Sequence, residues 1–238
     1  MTKAKKQAKK GHSFGLLSLV FAAIIFFVLN LVPFGGLIQW PFVIITTFVH
    51  EMGHGLAAIF TGGTLTQIEI YSNGSGLARV QTLSGWRQAV IAAGGLLAPP
   101  LVGSLFIIAG KNQRVSSRVF LIFALFLFIC CVFWVRSLFG LLILFPTAIG
   151  FLLLSRQGNL GWQHFLIQFM GVHMLVDTFT RTMSYLFKTS AHVAGQERHS
   201  DTATIAQHLL GGHLLWACII AFLAILIFYL SLTKTYFR

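Results

Sequence analysis

The sequence predicts an all-α membrane protein, a polytopic bundle of about 7 transmembrane helices with one small cytoplasmic-side β-hairpin. Two observations carry this prediction. Hydrophobic residues make up 56% of the 238 residues and charged residues only 9%, whereas a soluble domain carries about 25% charged residues. The apolar residues also fall into runs of roughly 20, the length that an α-helix needs to cross a bilayer. A soluble globular protein is therefore excluded.

Seven apolar segments follow a basic tail over residues 1–13. The predicted transmembrane helices are 14–32, 41–60, 87–110, 118–135, 137–154, 162–186 and 207–232. The first is too long for the apolar part of a signal peptide and no small-residue cleavage site follows it, so we expect it to remain in the membrane. Only Arg136 and its neighbours separate the fourth helix from the fifth, so the expected number is 6-7.

The distribution of Lys and Arg predicts that the N-terminus is cytoplasmic. With this orientation, 11 of the 17 basic residues lie on the cytoplasmic side and 6 on the other, as the positive-inside rule requires. The basic residues stand between apolar segments and at the two ends instead of forming one patch. The basic residues behind the net charge of +12 are therefore interpreted as topology signals of a protein whose partner is the lipid bilayer. We expect no nucleic acid partner.

Segment 63–82 is too polar to cross a membrane. Leu65, Ile68 and Ile70 alternate imperfectly with polar residues, and a dense turn signal, Asn-Gly-Ser-Gly, follows at 73–76. This pattern predicts a β-hairpin that lies against the cytoplasmic face of the membrane. An irregular polar loop is the alternative.

The second predicted helix contains the motif His50-Glu51-Met52-Gly53-His54. Residues i and i+4 share one face of a helix, so the two imidazoles can bind one zinc ion while Glu51 acts as general base on a water molecule. In shuffled chains of this composition, the HExxH motif is expected by chance roughly 0.004 times per chain. The alternative is a polar network between helices. The motif predicts a catalytic zinc site with Glu51 as the catalytic residue.

A catalytic zinc site takes a third protein ligand from elsewhere. The acidic residues are Glu51, Glu69, Asp177, Glu197 and Asp201. Of these, only Glu51 and Asp177 lie inside predicted transmembrane helices. Both helices run toward the cytoplasm, and each residue lies roughly ten positions from the cytoplasmic end of its helix, so the two are expected at similar depth. Metal ligands His50, His54 and Asp177 are therefore predicted. A pair between Asp177 and Arg181, one turn on, is the alternative.

Two further residues are weighed for the site. His173 lies one turn before Asp177 and is expected to orient that carboxylate or the water, to be a polar contact only, or to be a fourth ligand. Asp201 stands at the start of the last helix, where we expect a helix N-cap. A role of Asp201 in the site is its alternative.

These residues resemble the site-2 protease family of intramembrane zinc metalloproteases. The resemblance rests on TTFVHEMGHGLAAIFTGG (Thr46 to Gly63) within an early apolar helix and on the hairpin-like segment 68–80 that follows. The turn at Asn73 to Gly76 and the late Ser-Asp-x-Ala stretch at Ser200 to Ala203 are similar to a compact bacterial branch without a PDZ domain. Better-known members carry an "LDG" motif, from which the surroundings of Asp177 (HMLVDTF) depart.

The resemblance implies that residues 14–238 form a single intramembrane metalloprotease domain in the bacterial cytoplasmic membrane. It implies His50 and His54 as zinc ligands, Glu51 as general base and an aspartate from a later helix as the third ligand. The implied partners are membrane-protein substrates with a single-pass or signal-anchor segment. Because a helix hides its carbonyl groups in its own hydrogen bonds, we expect such a segment to be unwound locally, and we hypothesise that it then pairs with the edge of the 65–80 hairpin. Two competing functions remain: a catalytically inactive membrane scaffold of the same family, and a metal or solute transporter.

Overall fold

A computed structural model describes residues 3–82, 84–156, 160–186, 188–193 and 196–237. Within these ranges the chain forms eight helices and two antiparallel two-stranded sheets. The helices are α1 (Lys3–Leu31), α2 (Gly35–Phe60), α3 (Trp86–Ala109), α4 (Gln113–Phe133), α5 (Leu138–Arg156), α6 (Leu160–Tyr185), α7 (Asp201–His208) and α8 (His213–Tyr236). The strands are β1 (Thr64–Ile70), β2 (Gly76–Gln81), β3 (Ser190–Val193) and β4 (Gln196–His199).

The predicted fold class, a helical membrane bundle with a small hairpin, is confirmed. Helices α2, α3, α4, α5 and α8 are long and apolar enough to cross a membrane. The predicted last helix, 207–232, is divided in the structure. Helix α7 ends at His208, and α8 begins at His213 after Gly211, whose φ of 102° belongs to the left-handed region. The short helix α7 and the β3–β4 hairpin have no counterpart in the prediction.

Helices α2 and α3 cross at small residues, which brings the two backbones close together. A Cβ atom on Gly53 would lie 2.4 Å from the carbonyl oxygen of Gly94. A Cβ atom on Gly94 would lie 2.6 Å from the Cβ atom of Ala57. Only glycine fits at such a crossing, as is common where membrane helices pack. The close approach holds the HExxH turn of α2 directly against α3.

The core lies beside α2 and is formed mainly by large apolar side chains of α2, β1 and α4. Its fully buried members include Ile44, Phe48, Ile68, Phe120 and Leu127. Because Ile44 and Phe48 lie one turn apart on α2 and both are fully buried, their burial fixes the rotation of that helix. The core therefore determines where the motif histidines point.

The β1–β2 hairpin is held between α2 and the segment that follows α4. Strand β1 pairs with β2 and has a bulge between Leu65 and Gln67. On its other edge, the Ile68 N–H donates to the carbonyl of Trp134 at 2.8 Å and the Ile68 carbonyl accepts from Arg136 at 2.9 Å. One edge of β1 is thus covered by residues 134–136, and the outer edge of β2 turns toward α2.

Candidate metal centre

The two motif histidines meet as helix geometry requires. His50 and His54 lie one turn apart on α2, and their Nε2 atoms are 3.1 Å from each other. Both residues lie where α2 is packed against its neighbours, and His50 is only 6% exposed. The motif therefore presents two ring nitrogen atoms to one point.

Asp201 brings a carboxylate to the same point from the other end of the chain. Its Oδ2 lies 3.1 Å from Nε2 of His50, and its Oδ1 lies 3.5 Å from Nε2 of His54. Asp201 is the first residue of α7, and Ser200 is the N-cap because its Oγ accepts from the N–H of Ala203 at 3.3 Å. The expected capping role of Asp201 is therefore wrong, and its side chain is left to face the histidines.

The spacing of these three side chains fits a tetrahedral metal ion. Ligand atoms that each lie about 2.0–2.1 Å from a tetrahedral zinc ion are about 3.3–3.4 Å from one another. The three separations between His50, His54 and Asp201 range from 3.1 to 3.5 Å. Among the described residues, this trio is the group of potential ligands whose donor atoms come within 4.8 Å of one another. Two imidazoles and one carboxylate form a known catalytic zinc set.

His54 is held in the orientation that a ligand requires. Its Nδ1 lies 2.8 Å from the carbonyl oxygen of Ile91 in α3, so Nδ1 carries the proton and the lone pair of Nε2 points toward His50 and Asp201. Gly95, one turn further along α3, makes room for the ring, because a Cβ there would lie 2.2 Å from Cε1 of His54. Helix α3 therefore fixes both the tautomer and the place of His54.

The carboxylate of Asp201 carries a negative charge in this setting. Burial by itself would raise the pKa of its carboxyl group, but the facing His54 ring and the hydrogen bond with His50 hold that pKa below its ordinary value. An ionised carboxylate is the form that binds a metal ion.

Glu51 lies between the metal-ligand group and the hairpin. Its Oε2 accepts a hydrogen bond from the backbone N–H of Ala78 in β2 at 2.7 Å. Gly76 leaves space for this side chain, because a Cβ on Gly76 would lie 2.6 Å from Cγ of Glu51. The hairpin therefore determines the orientation of the Glu51 carboxylate.

The structure does not bring Asp177 to the histidines. Its Oδ2 accepts from Nε of Arg181 at 2.7 Å, which is the pair that the sequence left open as an alternative. Asp201, the other candidate acid, occupies the place expected for Asp177. The signal that favoured Asp177 was its depth in a predicted membrane helix, and that signal did not identify the partner of its carboxylate.

His173 also stands apart from the metal-ligand group. Its Nδ1 lies 3.3 Å from Oγ1 of Thr46, and its ring packs against Phe26, Phe42 and Phe169. It is 3% exposed. Of the roles considered from the sequence, a polar contact between helices describes these surroundings.

An open cleft of about 660 Å³ leads to the site. One wall is formed by β2 and the turn before it, and the other by the end of the β3–β4 hairpin and the start of α7. His50, Glu51, His54, Arg181 and Asp201 all line it. The point where the three ligand atoms converge is therefore accessible from outside the protein through this cleft. Arg181 is among the cleft residues that the sequence did not indicate as part of the site; its only signal was its position one turn after Asp177.

The fold and the site together define a helical integral membrane protein with a metal-ligand group beside a glutamate. The model of the Peptidase M50B-like family matches residues 17–231, so the chain belongs to this family, the site-2 protease family of zinc metalloproteases. No curated protein and no solved structure matches the chain. The family resemblance expected from the HExxH segment is therefore confirmed.

Proposed function

We propose that the protein is an intramembrane zinc metalloprotease that hydrolyses peptide bonds of membrane-embedded substrate segments. The observation that carries the proposal is the convergence of His50, His54 and Asp201 at 3.1–3.5 Å beside Glu51. Two histidines one turn apart, a distant carboxylate and an adjacent glutamate are the components of a zinc-dependent hydrolase. Family membership supports the same chemistry.

In this proposal His50, His54 and Asp201 hold the zinc ion and Glu51 is the general base. Zinc, when bound, supplies a Lewis acid and lowers the pKa of coordinated water. Glu51 accepts the proton of the attacking water and delivers it to the amine that leaves, which requires a fixed carboxylate within hydrogen-bonding reach. The hydrogen bond from Ala78 supports this role because it orients that carboxylate.

The outer edge of β2 is the proposed binding surface for the substrate backbone. In an antiparallel pair, alternate residues turn their N–H and C=O groups away from the partner strand. The Ala78 N–H points at Glu51, so Gly76 and Val80 point their backbone groups to the same side, and both line the cleft. A helical substrate hides its carbonyl groups in its own hydrogen bonds, so an unwound segment that adds to β2 would present them at the site.

The proposed setting is a bacterial cytoplasmic membrane with the N-terminus in the cytoplasm. The excess of basic residues on the cytoplasmic side in that orientation supports it. The proposed partners are membrane proteins with a single-pass or signal-anchor segment, since such a segment can enter the bilayer around the site.

The test uses purified full-length protein reconstituted in liposomes with a panel of synthetic single-span peptides, whose products are identified by mass spectrometry. Wild type is expected to cleave at least one peptide, to lose activity with a chelator and to regain it with zinc. Glu51→Gln should bind zinc but should not cleave, because the general base is absent. Cleavage that persists undiminished in Glu51→Gln would refute the proposal.

The same samples separate the two competing functions. An inactive scaffold would bind zinc and leave every peptide intact in wild type and Glu51→Gln alike. A transporter would show flux of metal or solute into the liposomes that survives Glu51→Gln. The open cleft beside Glu51 favours the protease over the scaffold, since a buried metal without access would suffice for a scaffold.

A further inference from the structure

We propose that Arg181, positioned by Asp177, contacts the carbonyl oxygen of the peptide bond that is cut and stabilises the negative charge that develops there. The inference rests on the proposed proteolytic function and assigns a catalytic residue that the HExxH motif does not contain. It also gives Asp177 a function as a positioning residue in place of the metal-ligand role expected from the sequence.

Two hydrogen bonds fix the guanidinium group of Arg181. Its Nε donates to Oδ2 of Asp177, one turn earlier on α6, at 2.7 Å. Its Nη2 donates to Oγ1 of Thr47 on α2 at 3.0 Å. Thr47 in turn donates to the carbonyl of Gly74, in the turn of the β1–β2 hairpin, at 2.8 Å. Arg181 is thereby tied to α6, α2 and the hairpin at once.

This anchorage places Arg181 beside the proposed general base. Thr47 precedes Glu51 by one helical turn, and both side chains approach the same point of the hairpin. A Cβ on Gly76 would lie 2.7 Å from Cγ2 of Thr47 and 2.6 Å from Cγ of Glu51. Arg181 also lines the cleft together with His50, Glu51 and Asp201. A peptide bond that reaches Glu51 therefore passes the guanidinium group.

The chemistry of the cleft favours a carbonyl oxygen over an acidic side chain as the partner of Arg181. The carboxylates of Glu51, Glu197 and Asp201 line the cleft together with the cations Arg181 and Arg198. A substrate carboxylate that reached Arg181 would therefore also meet like charges. A carbonyl group enters neutral and becomes negative only as the water attacks. Donors that are in place before this charge develops give the largest stabilisation.

Arginine suits this role better than lysine. Its planar group has five N–H donors in a fixed arrangement and stays protonated, so it can keep its bonds to Asp177 and Thr47 while it faces the cleft. The carboxylate of Asp177 compensates its charge, which reduces the cost of holding a cation among membrane helices. The alternative role is purely structural, a tie between α6 and α2 that leaves catalysis untouched.

Two variants separate these roles. Arg181→Gln removes the cation, and Thr47→Val removes one anchor of the same network but leaves the cation in place. The readouts are the zinc content per chain, Tm, and kcat and KM for a peptide that wild type cleaves. Arg181→Gln is expected to keep its zinc and to lose about 10²–10³-fold in kcat, as removal of one oxyanion donor does, with little change in KM. Arg181→Lys should recover only part of kcat.

Asp177→Asn should lower kcat less than Arg181→Gln, because the cation is present but less well held. Thr47→Val also leaves the cation in place but removes one of its anchors, so it should lower Tm and should lower kcat by less than Arg181→Gln does. Two results would overturn the inference: equal kcat values for Arg181→Gln and Thr47→Val, or a loss of kcat in Arg181→Gln that its loss of zinc or of thermal stability accounts for. Either result would mean that Arg181 only ties α6 to α2.

A binding measurement separates failure of this inference from failure of the proposed function. The probe is a peptide phosphinate, whose tetrahedral charged centre mimics the attacked carbonyl. With zinc-loaded protein, Arg181→Gln should bind the phosphinate about 10²–10³-fold more weakly than wild type, while its affinity for the uncleaved parent peptide, measured in the Glu51→Gln background, stays the same. Equal loss for both ligands, or no loss, would refute the role of Arg181. Failure of wild type to cleave any peptide or bind the phosphinate would refute the proposed protease itself.

Discussion

Oδ2 of Asp201 lies 3.1 Å from Nε2 of His50, while the Asp177 carboxylate is held by Arg181 at 2.7 Å. The two aspartates therefore have different partners, one the histidine pair and the other a guanidinium group. This difference predicts which of them is needed for the metal.

Asp201→Ala should lose zinc, and Asp177→Ala should retain it. Removal of one of three protein ligands leaves two histidines, which bind zinc far more weakly at neutral pH. The measurement is zinc per chain by elemental analysis after dialysis against buffer that contains a weak chelator. His54→Ala is the positive control for loss. Full zinc in Asp201→Ala together with loss in Asp177→Ala would contradict the site described here.

Gly95→Ala should disturb the metal site through His54 alone. A Cβ at this position would lie 2.2 Å from Cε1 and 2.3 Å from Nε2 of His54, so the ring must move and the hydrogen bond to Ile91 must be lost. Loss of such an outer contact costs about 10–100-fold in metal affinity, which a competition titration with a fluorescent chelator measures.

Gly36→Ala is the matched control, since nothing lies within 4 Å of the Cβ that it would add. This variant should bind zinc as wild type does. Equal affinities for the Gly95 and Gly36 variants would show that His54 is not confined by α3.

The sequence was sufficient to predict the long helices and the motif, apart from the division of the last helix into α7 and α8, because both are local patterns. His50 and His54 meet through the helical repeat alone, and the apolar runs are long enough to specify membrane helices. The β1–β2 hairpin was predicted for the same reason, from the turn signal at 73–76. The resemblance to the family was drawn from the same local segment, and the family model that confirms it matches residues 17–231.

The third carboxylate could not be predicted, because its place depends on tertiary packing. The depth of a residue in the membrane does not determine which neighbouring helix its side chain faces. Asp177 shares its helix face with Arg181, whose positive charge is the nearer partner. The role of Asp201 depended on a local detail as well. Ser200 forms the N-cap, so the side chain of Asp201 does not cap the helix and can face the histidines. The short helix α7 also ends before Gly211 instead of continuing into α8.

Removal of zinc should destabilise wild type but not Asp201→Ala. A ligand that binds only the folded state stabilises it by about 4 kcal/mol when its free concentration is 1,000 times Kd. The bound ion would link α2 to α7, which are far apart in the chain, so its loss should lower the Tm of wild type. Differential scanning fluorimetry in detergent, with and without chelator, measures the change. A chelator effect of the same size in Asp201→Ala would show that the stabilising ion binds elsewhere.

Val80→Pro should weaken the binding of an extended substrate without dismantling the hairpin. Val80 shares its outward orientation with Ala78, whose N–H points at Glu51, so its own N–H faces the cleft and not β1. Proline removes that donor, whereas Val80→Ala keeps it and is the matched control. We expect KM for a cleavable single-span peptide to rise about tenfold, the equivalent of one net hydrogen bond, with zinc content unchanged. If both variants shift KM equally, the side chain and not the strand edge binds the substrate. If neither variant shifts KM, the substrate lies elsewhere in the cleft.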